Sequence, residues 1–88
     1  MIGSYDNKFK TELKQMIIEA CEKEVEIESI DDNLPMFGNG TALELDSLDA
    51  LQLSMEIKKR YGVDLADSKE FRRVFTSINS LADYIRPN

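Results

Sequence analysis

The chain has 88 residues, 17 acidic against 11 basic side chains for a formal net charge of −6, one Cys and no His. That acidity repels phosphate backbones and anionic bilayers, so no nucleic acid and no membrane partner is expected. Basic protein patches are attracted instead. A lone Cys21 without histidine excludes an internal disulfide, Cys/His and Ser/His nucleophile pairs and the common zinc ligand sets.

A chain this short is expected to form a single domain, 1–88, and a monomer. It buries only about 60 to 65% of its unfolded surface, which leaves little interior to hollow into an enzyme pocket. Function should therefore sit on the surface, and no enzyme is expected. The sequence shows neither a basic-then-apolar leader nor a run of about 18 apolar residues, so a cytoplasmic location is expected.

Residues 1–7 are short, polar and Gly-containing and read as a flexible tail, with Asp6 placed to cap the first helix. Phe9, Leu13, Met16, Ile17, Ala20 and Cys21 then recur at steps of three and four, the stripe of an amphipathic helix, and Cys21 reads as core. After Glu24 the periodicity dissolves into a long acidic connector that includes Glu26, Glu28, Asp31 and Asp32. Leu34, Phe37, Leu43 and Leu45 are its expected anchors.

A second helix is predicted from Asp46 to Arg60 or Tyr61, with Asp46 as N-cap, Asp49 in the first turn and Gly62 as the left-handed stop. The capping-box spacing of Asp67-Ser68-Lys69-Glu70, followed by Phe71, Val74 and Phe75, predicts a short third helix. Thr76 or Ser77 can cap a final helix whose stripe is Ile78, Leu81, Ala82 and Ile85 before Pro87. No β-period competes, so the fold class is all-α.

At about 100° per residue the second helix has two apolar sides. Ala50, Leu53, Ile57 and Tyr61 share one. Leu48 and Met55 lie elsewhere, with Leu51 leaning toward them and Asp49, Gln52, Lys58 and Lys59 interrupting that side. Such a patch, apolar inside a polar rim and containing an adaptable Met, suits transient docking.

With Asp46-Ser47-Leu48-Asp49 at a helix start, after a long loop and before a short and a final helix, the chain resembles the acyl carrier protein family over about residues 8–86. The resemblance implies a four-helix bundle and a 4′-phosphopantetheine arm, taken from coenzyme A by a phosphopantetheinyl transferase and esterified to Ser47 between Asp46 and Leu48. A phosphodiester there would meet unpaired N–H groups at the positive helix end. No base or oxyanion hole accompanies Ser47, so it is not a catalytic residue; the transferase must supply those groups.

The resemblance further implies that the arm's thiol carries acyl groups to loading and condensing enzymes such as ketosynthases, and that the core between helices can shelter the acyl chain. Leu48 and Met55 match its hydrophobic recognition positions, and Asp46, Asp49 and Asp67 its acidic ones. Gln52, Lys58 and Lys59 depart from the acidic residues frequent in fatty-acid-synthesis carriers, Arg60 adds another positive charge, and Glu44 stands where many carriers have Gly. The run Pro35-Met36-Phe37-Gly38-Asn39-Gly40 and the segment 43–51 look like carriers of specialised bacterial pathways such as aryl polyene or related pigment synthesis. Ordinary fatty acid synthesis, a carrier for D-alanine transfer and an unmodified acidic helical adaptor are the alternatives. A peptidyl carrier is disfavoured because the His common before its modified serine is absent.

Overall fold

The computed structural model describes residues 2–65 and 71–87. Among the described residues there are four α-helices: α1 Asn7–Ala20, α2 Ser47–Tyr61, the single turn α3 Phe71–Val74, and α4 Ile78–Ile85. Short 3-10 turns occupy Gly3–Tyr5 and Ile27–Ser29. The described residues contain no strand, only one isolated parallel bridge between Phe37 and Leu45. The all-α class therefore holds.

Each long helix starts where a side-chain oxygen can satisfy an orphan N–H. Asp6 Oδ1 accepts from Phe9 N–H at 3.1 Å and opens α1. Ser77, not Thr76, caps α4, its Oγ accepting from Ser80 N–H at 3.2 Å. Gly62 ends α2 at φ 71°, a left-handed conformation that costs a Cβ-bearing residue about 1–2 kcal/mol. Asp67-Ser68-Lys69-Glu70, the predicted start of the third helix, lies outside the described residues.

The core collects Phe9, Leu13, Met16 and Ile17 from α1, Leu53 and Ile57 from α2, and Ile78, Leu81 and Ala82 from α4. Each large apolar side chain buried in this way contributes about 1.5–3 kcal/mol. Tyr61 closes one edge, meeting Phe9 edge-on at 5.7 Å and donating its hydroxyl hydrogen to Glu12 at 2.9 Å.

Three expectations need correction. The amino-terminal segment is docked: Gly3 N–H donates to the Arg86 carbonyl at 2.8 Å and Ser4 N–H to Asp83 Oδ1 at 2.9 Å. Gly3 lies so close to α4 that a Cβ would fall 2.1 Å from the Ala82 carbonyl oxygen, so only glycine permits this contact. Leu34 is exposed, and the connector is anchored instead by Ile30 and Met36 together with Leu43 and Leu45. Cys21 is half-buried because α1 ends at Ala20, one residue short of carrying it fully into the core stripe.

The connector is also tied by charge. Asp32 receives the ammonium of Lys10 at 2.9 Å and of Lys14 at 2.6 Å, while its carbonyl accepts from Asn79 N–H at 3.0 Å. Lys10 also donates to Asn79 Oδ1 at 3.2 Å, and Asn79 Nδ2 donates to Asn33 Oδ1 at 2.6 Å. One network thus joins α1, the connector and the start of α4. Burial pushes the Asp32 carboxyl upward, but hydrogen bonds and charge from Lys14 and Lys10 outweigh it and leave the pKa below the ordinary value.

Candidate functional site

Ser47 is the first helical residue of α2, and it is exposed. The cap is already made without it. Asp46 Oδ1 accepts from Asp49 N–H at 3.0 Å and Asp49 Oδ2 accepts from Asp46 N–H at 3.1 Å, the reciprocal pair of a capping box. Ser47 and Leu48 occupy the first two helical positions, whose N–H groups have no carbonyl one turn earlier to bond. A hydroxyl at solvent, beside two outward N–H groups at the positive end of a 15-residue helix, is suited to hold a phosphodiester.

The approach to Ser47 is fixed by a hydroxyl that sequence reasoning overlooked. Thr41 Oγ1 contacts the carbonyl oxygens of Gly38 at 2.8 Å and Met36 at 3.1 Å, and accepts from Glu44 N–H at 2.9 Å. Leu45 N–H donates to the Met36 carbonyl at 3.0 Å, and Gly38 N–H to the Leu45 carbonyl at 3.1 Å. These bonds fold residues 36–45 into a closed loop that delivers Asp46 to its capping position. The only sequence signal for this role was a small hydroxyl residue among glycines, a common turn composition. Glu44 sits at φ 46°, a left-handed backbone that glycine would adopt without steric cost.

Beside Ser47 lies an open cavity of about 640 Å³. Met36, Phe37, Ala50 and Phe75 give it an apolar lining, while Asp46, Ser47 and Thr76 line it with polar groups. A flexible arm combining amides with methyl groups fits this mixture.

Two charged groups near the helix start are already occupied. Asp49, expected on the partner face, is only 17% exposed at its side chain, and besides its capping role it pairs with Lys23 at 3.3 Å. Lys23 therefore offsets one of the two carboxylates beside the site. Cys21 Sγ lies 3.9 Å from the Asp49 carbonyl oxygen. Burial first, and then the Asp49 charge, raise the Cys21 thiol to about 11 against a lowering contribution from Lys23.

Farther along α2 the two apolar sides separate as expected. Ala50, Leu53 and Ile57 are buried and Tyr61 is half-buried, whereas Leu48, Leu51 and Met55 are 76%, 56% and 61% exposed. Gln52, Lys58 and Lys59 are exposed around them. Lys58 is paired with Asp64 at 3.3 Å and Arg60 with Glu56 at 2.8 Å, while Lys59 has no ion-pair partner among the described residues. Asp67, the remaining acidic expectation, lies outside the described residues. The structure thus brings Asp46, Ser47, Leu48 and Asp49 together at one helix end and extends Leu51, Gln52, Met55, Lys58 and Lys59 from it as a stripe.

No helix among the described residues is long and apolar enough to cross a membrane, and no group of three or more metal-ligating side chains occurs among them. No curated protein and no solved structure matches the chain. A family model described as the phosphopantetheine attachment site matches residues 11–85, from α1 to the end of α4. The chain belongs to that family of acyl carrier proteins, whose cofactor is covalently attached 4′-phosphopantetheine and whose role is to carry.

Proposed function

We propose that Ser47 is the attachment residue, and that the chain holds acyl intermediates as thioesters for delivery to fatty acid or polyketide-type biosynthetic enzymes. One observation carries the reading. Ser47 is exposed at the first position of α2 while Asp46 and Asp49 perform the capping that would otherwise be a serine's task there. When bound, the arm supplies the thiol that forms the thioester. The chain's own part is to present Ser47, to offer the N–H groups of Ser47 and Leu48 to the phosphodiester, and to provide an apolar rest for the arm against Met36 and Phe37.

Within this reading, α3 is the short third helix of a four-helix acyl-carrier bundle forming one domain. Leu48, Leu51 and Met55 make the apolar centre of the docking face for a phosphopantetheinyl transferase and for loading and condensing enzymes, with Gln52, Lys58 and Lys59 as its rim. The paired state of Asp49 makes it a weaker contributor than its sequence position suggests. The partly basic rim favours partners of a specialised pathway, such as aryl polyene synthesis, over enzymes shaped for a uniformly acidic helix.

The test is intact mass after incubation with coenzyme A and a broad-specificity phosphopantetheinyl transferase. One added arm is expected for the wild type and none for Ser47→Ala. An unchanged wild-type mass beside a modified control carrier would return the chain to the adaptor alternative.

A further inference from the structure

The cavity beside Ser47 has a floor and a wall of different character. Met36, Leu45, Ala50 and Phe75 are buried and form the floor, while Phe37 is half-buried and forms the wall. Phe37 meets Phe75 edge-on, with ring centroids 5.9 Å apart and planes at 74°. The contact joins the 36–45 loop to the residue that follows α3, and both rings line the cavity that Ser47 also lines. The backbone on both sides of Phe37 is held, because Met36 and Gly38 each bond to Leu45. Leu53 and Ile57, which follow Ala50 along the buried face of α2, and Val74, which precedes Phe75, are fully buried in the core cluster against which Phe37 packs. An interior packed at ordinary density has no room for an added chain unless side chains move apart.

We infer that Phe37 is a specificity-determining residue: it closes the bundle to the group borne on the arm, so that cargo lies in the open groove against the Phe37–Phe75 pair and outside the core. This rests on Ser47 being the attachment residue. It restricts sheltered cargo to acyl groups short enough to lie in the groove, and leaves a long alkyl chain in contact with water or a partner enzyme. Removing the ring deletes both the wall and the edge contact on Phe75, which opens a path toward Leu53 and Ile57.

Octanoyl-coenzyme A and a broad-specificity transferase load arm and cargo in one step. The Ser47 Oγ–phosphorus bond forms, the pyrophosphate bond of the coenzyme breaks, 3′-phosphoadenosine 5′-phosphate leaves with the bonding electrons, and the serine proton passes to a base on the transferase. Methyl and aromatic NMR shifts are then compared between the octanoyl form and the form bearing the free arm. In the wild type the changes should be confined to Phe37, Leu45, Ala50 and Phe75, with Leu53 and Ile57 unmoved. In Phe37→Ala the Leu53 and Ile57 methyls should shift, and octanoyl loading should raise Tm by about 4 °C or more as the cargo fills the opened space.

Wild-type Leu53 and Ile57 methyls that move as far as Phe75 overturn the inference, whether or not Phe37→Ala folds. Phe37→Leu, which keeps more of the volume, provides a second variant, and cargo-dependent shifts identical to wild type in both variants also overturn it. A chain that gains no mass at all refutes the Ser47 reading itself, a result distinct from a loaded chain with displaced core methyls.

Discussion

Replacing Asp32 by Asn removes a negative charge through which the connector is tied to α1. Lys10 and Lys14 are 9% and 14% exposed at their side chains and both contact this carboxylate, which is itself 28% exposed. Breaking a fully buried pair by deleting one partner costs about 3–5 kcal/mol. Water reaches part of Asp32, Lys10 keeps its bond to Asn79, and the new amide oxygen can still accept, so the loss here should be about 2 kcal/mol. A domain of this length has a total stability of about 4–13 kcal/mol, and the change should lower Tm by about 8–16 °C. Urea unfolding followed by circular dichroism should show a lower midpoint with an unchanged slope.

The pH dependence supplies the sharper check. The Asp32 pKa is lowered in the folded state, so the carboxylate's contribution is fully present above its unfolded value near 3.9 and is lost as pH falls through the folded value. The wild-type and Asp32→Asn stabilities should therefore stay apart from neutral pH down to about pH 4 and converge below it. A gap under about 0.5 kcal/mol at pH 7, or one that persists undiminished in acid, would refute the assignment of this network to charge.

Two further outcomes follow from the loop and the docking face. Glu44→Gly should stabilise the protein by up to about 1 kcal/mol by relieving the left-handed backbone at φ 46°, read as a rise in the urea midpoint; a fall would mean that the added freedom of the unfolded chain outweighs the relief. Lys58→Glu with Lys59→Glu should improve turnover by fatty-acid-synthesis enzymes while leaving helical circular dichroism nearly unchanged, and the loss of the Lys58–Asp64 pair should cost under about 1 kcal/mol; no improvement in turnover removes the electrostatic account of partner choice.

The helices were legible because their information is local. Four of the six residues in the α1 stripe are buried as the spacing requires, Asp46 and Gly62 bracket α2, and Ser77 is one of the two caps anticipated for α4. Exposure of Leu48 and Met55 was legible from the helical angle together with Asp49, Gln52, Lys58 and Lys59, the polar residues that interrupt their side. The connector was illegible for the opposite reason. Nothing in Asp31-Asp32 tells which acid faces Lys10 and Lys14, because that pairing joins residues about twenty positions apart across a segment without period. Ile30 and Met36 displaced Leu34 as anchors, and Thr41 gained its role, through the same nonlocal closure. The docking of Gly3 on α4 depends on the absence of a side chain, which composition registers only as flexibility.

The state of Cys21 has a chemical consequence for a molecule proposed to bear activated esters of sulfur. Burial and the Asp49 charge raise the thiol to about 11, so Cys21 is protonated at neutral pH, and the ionised form is the nucleophile. Under the proposed function, the sole cysteine of the chain is thereby a poor acceptor for an acyl group borne on the arm.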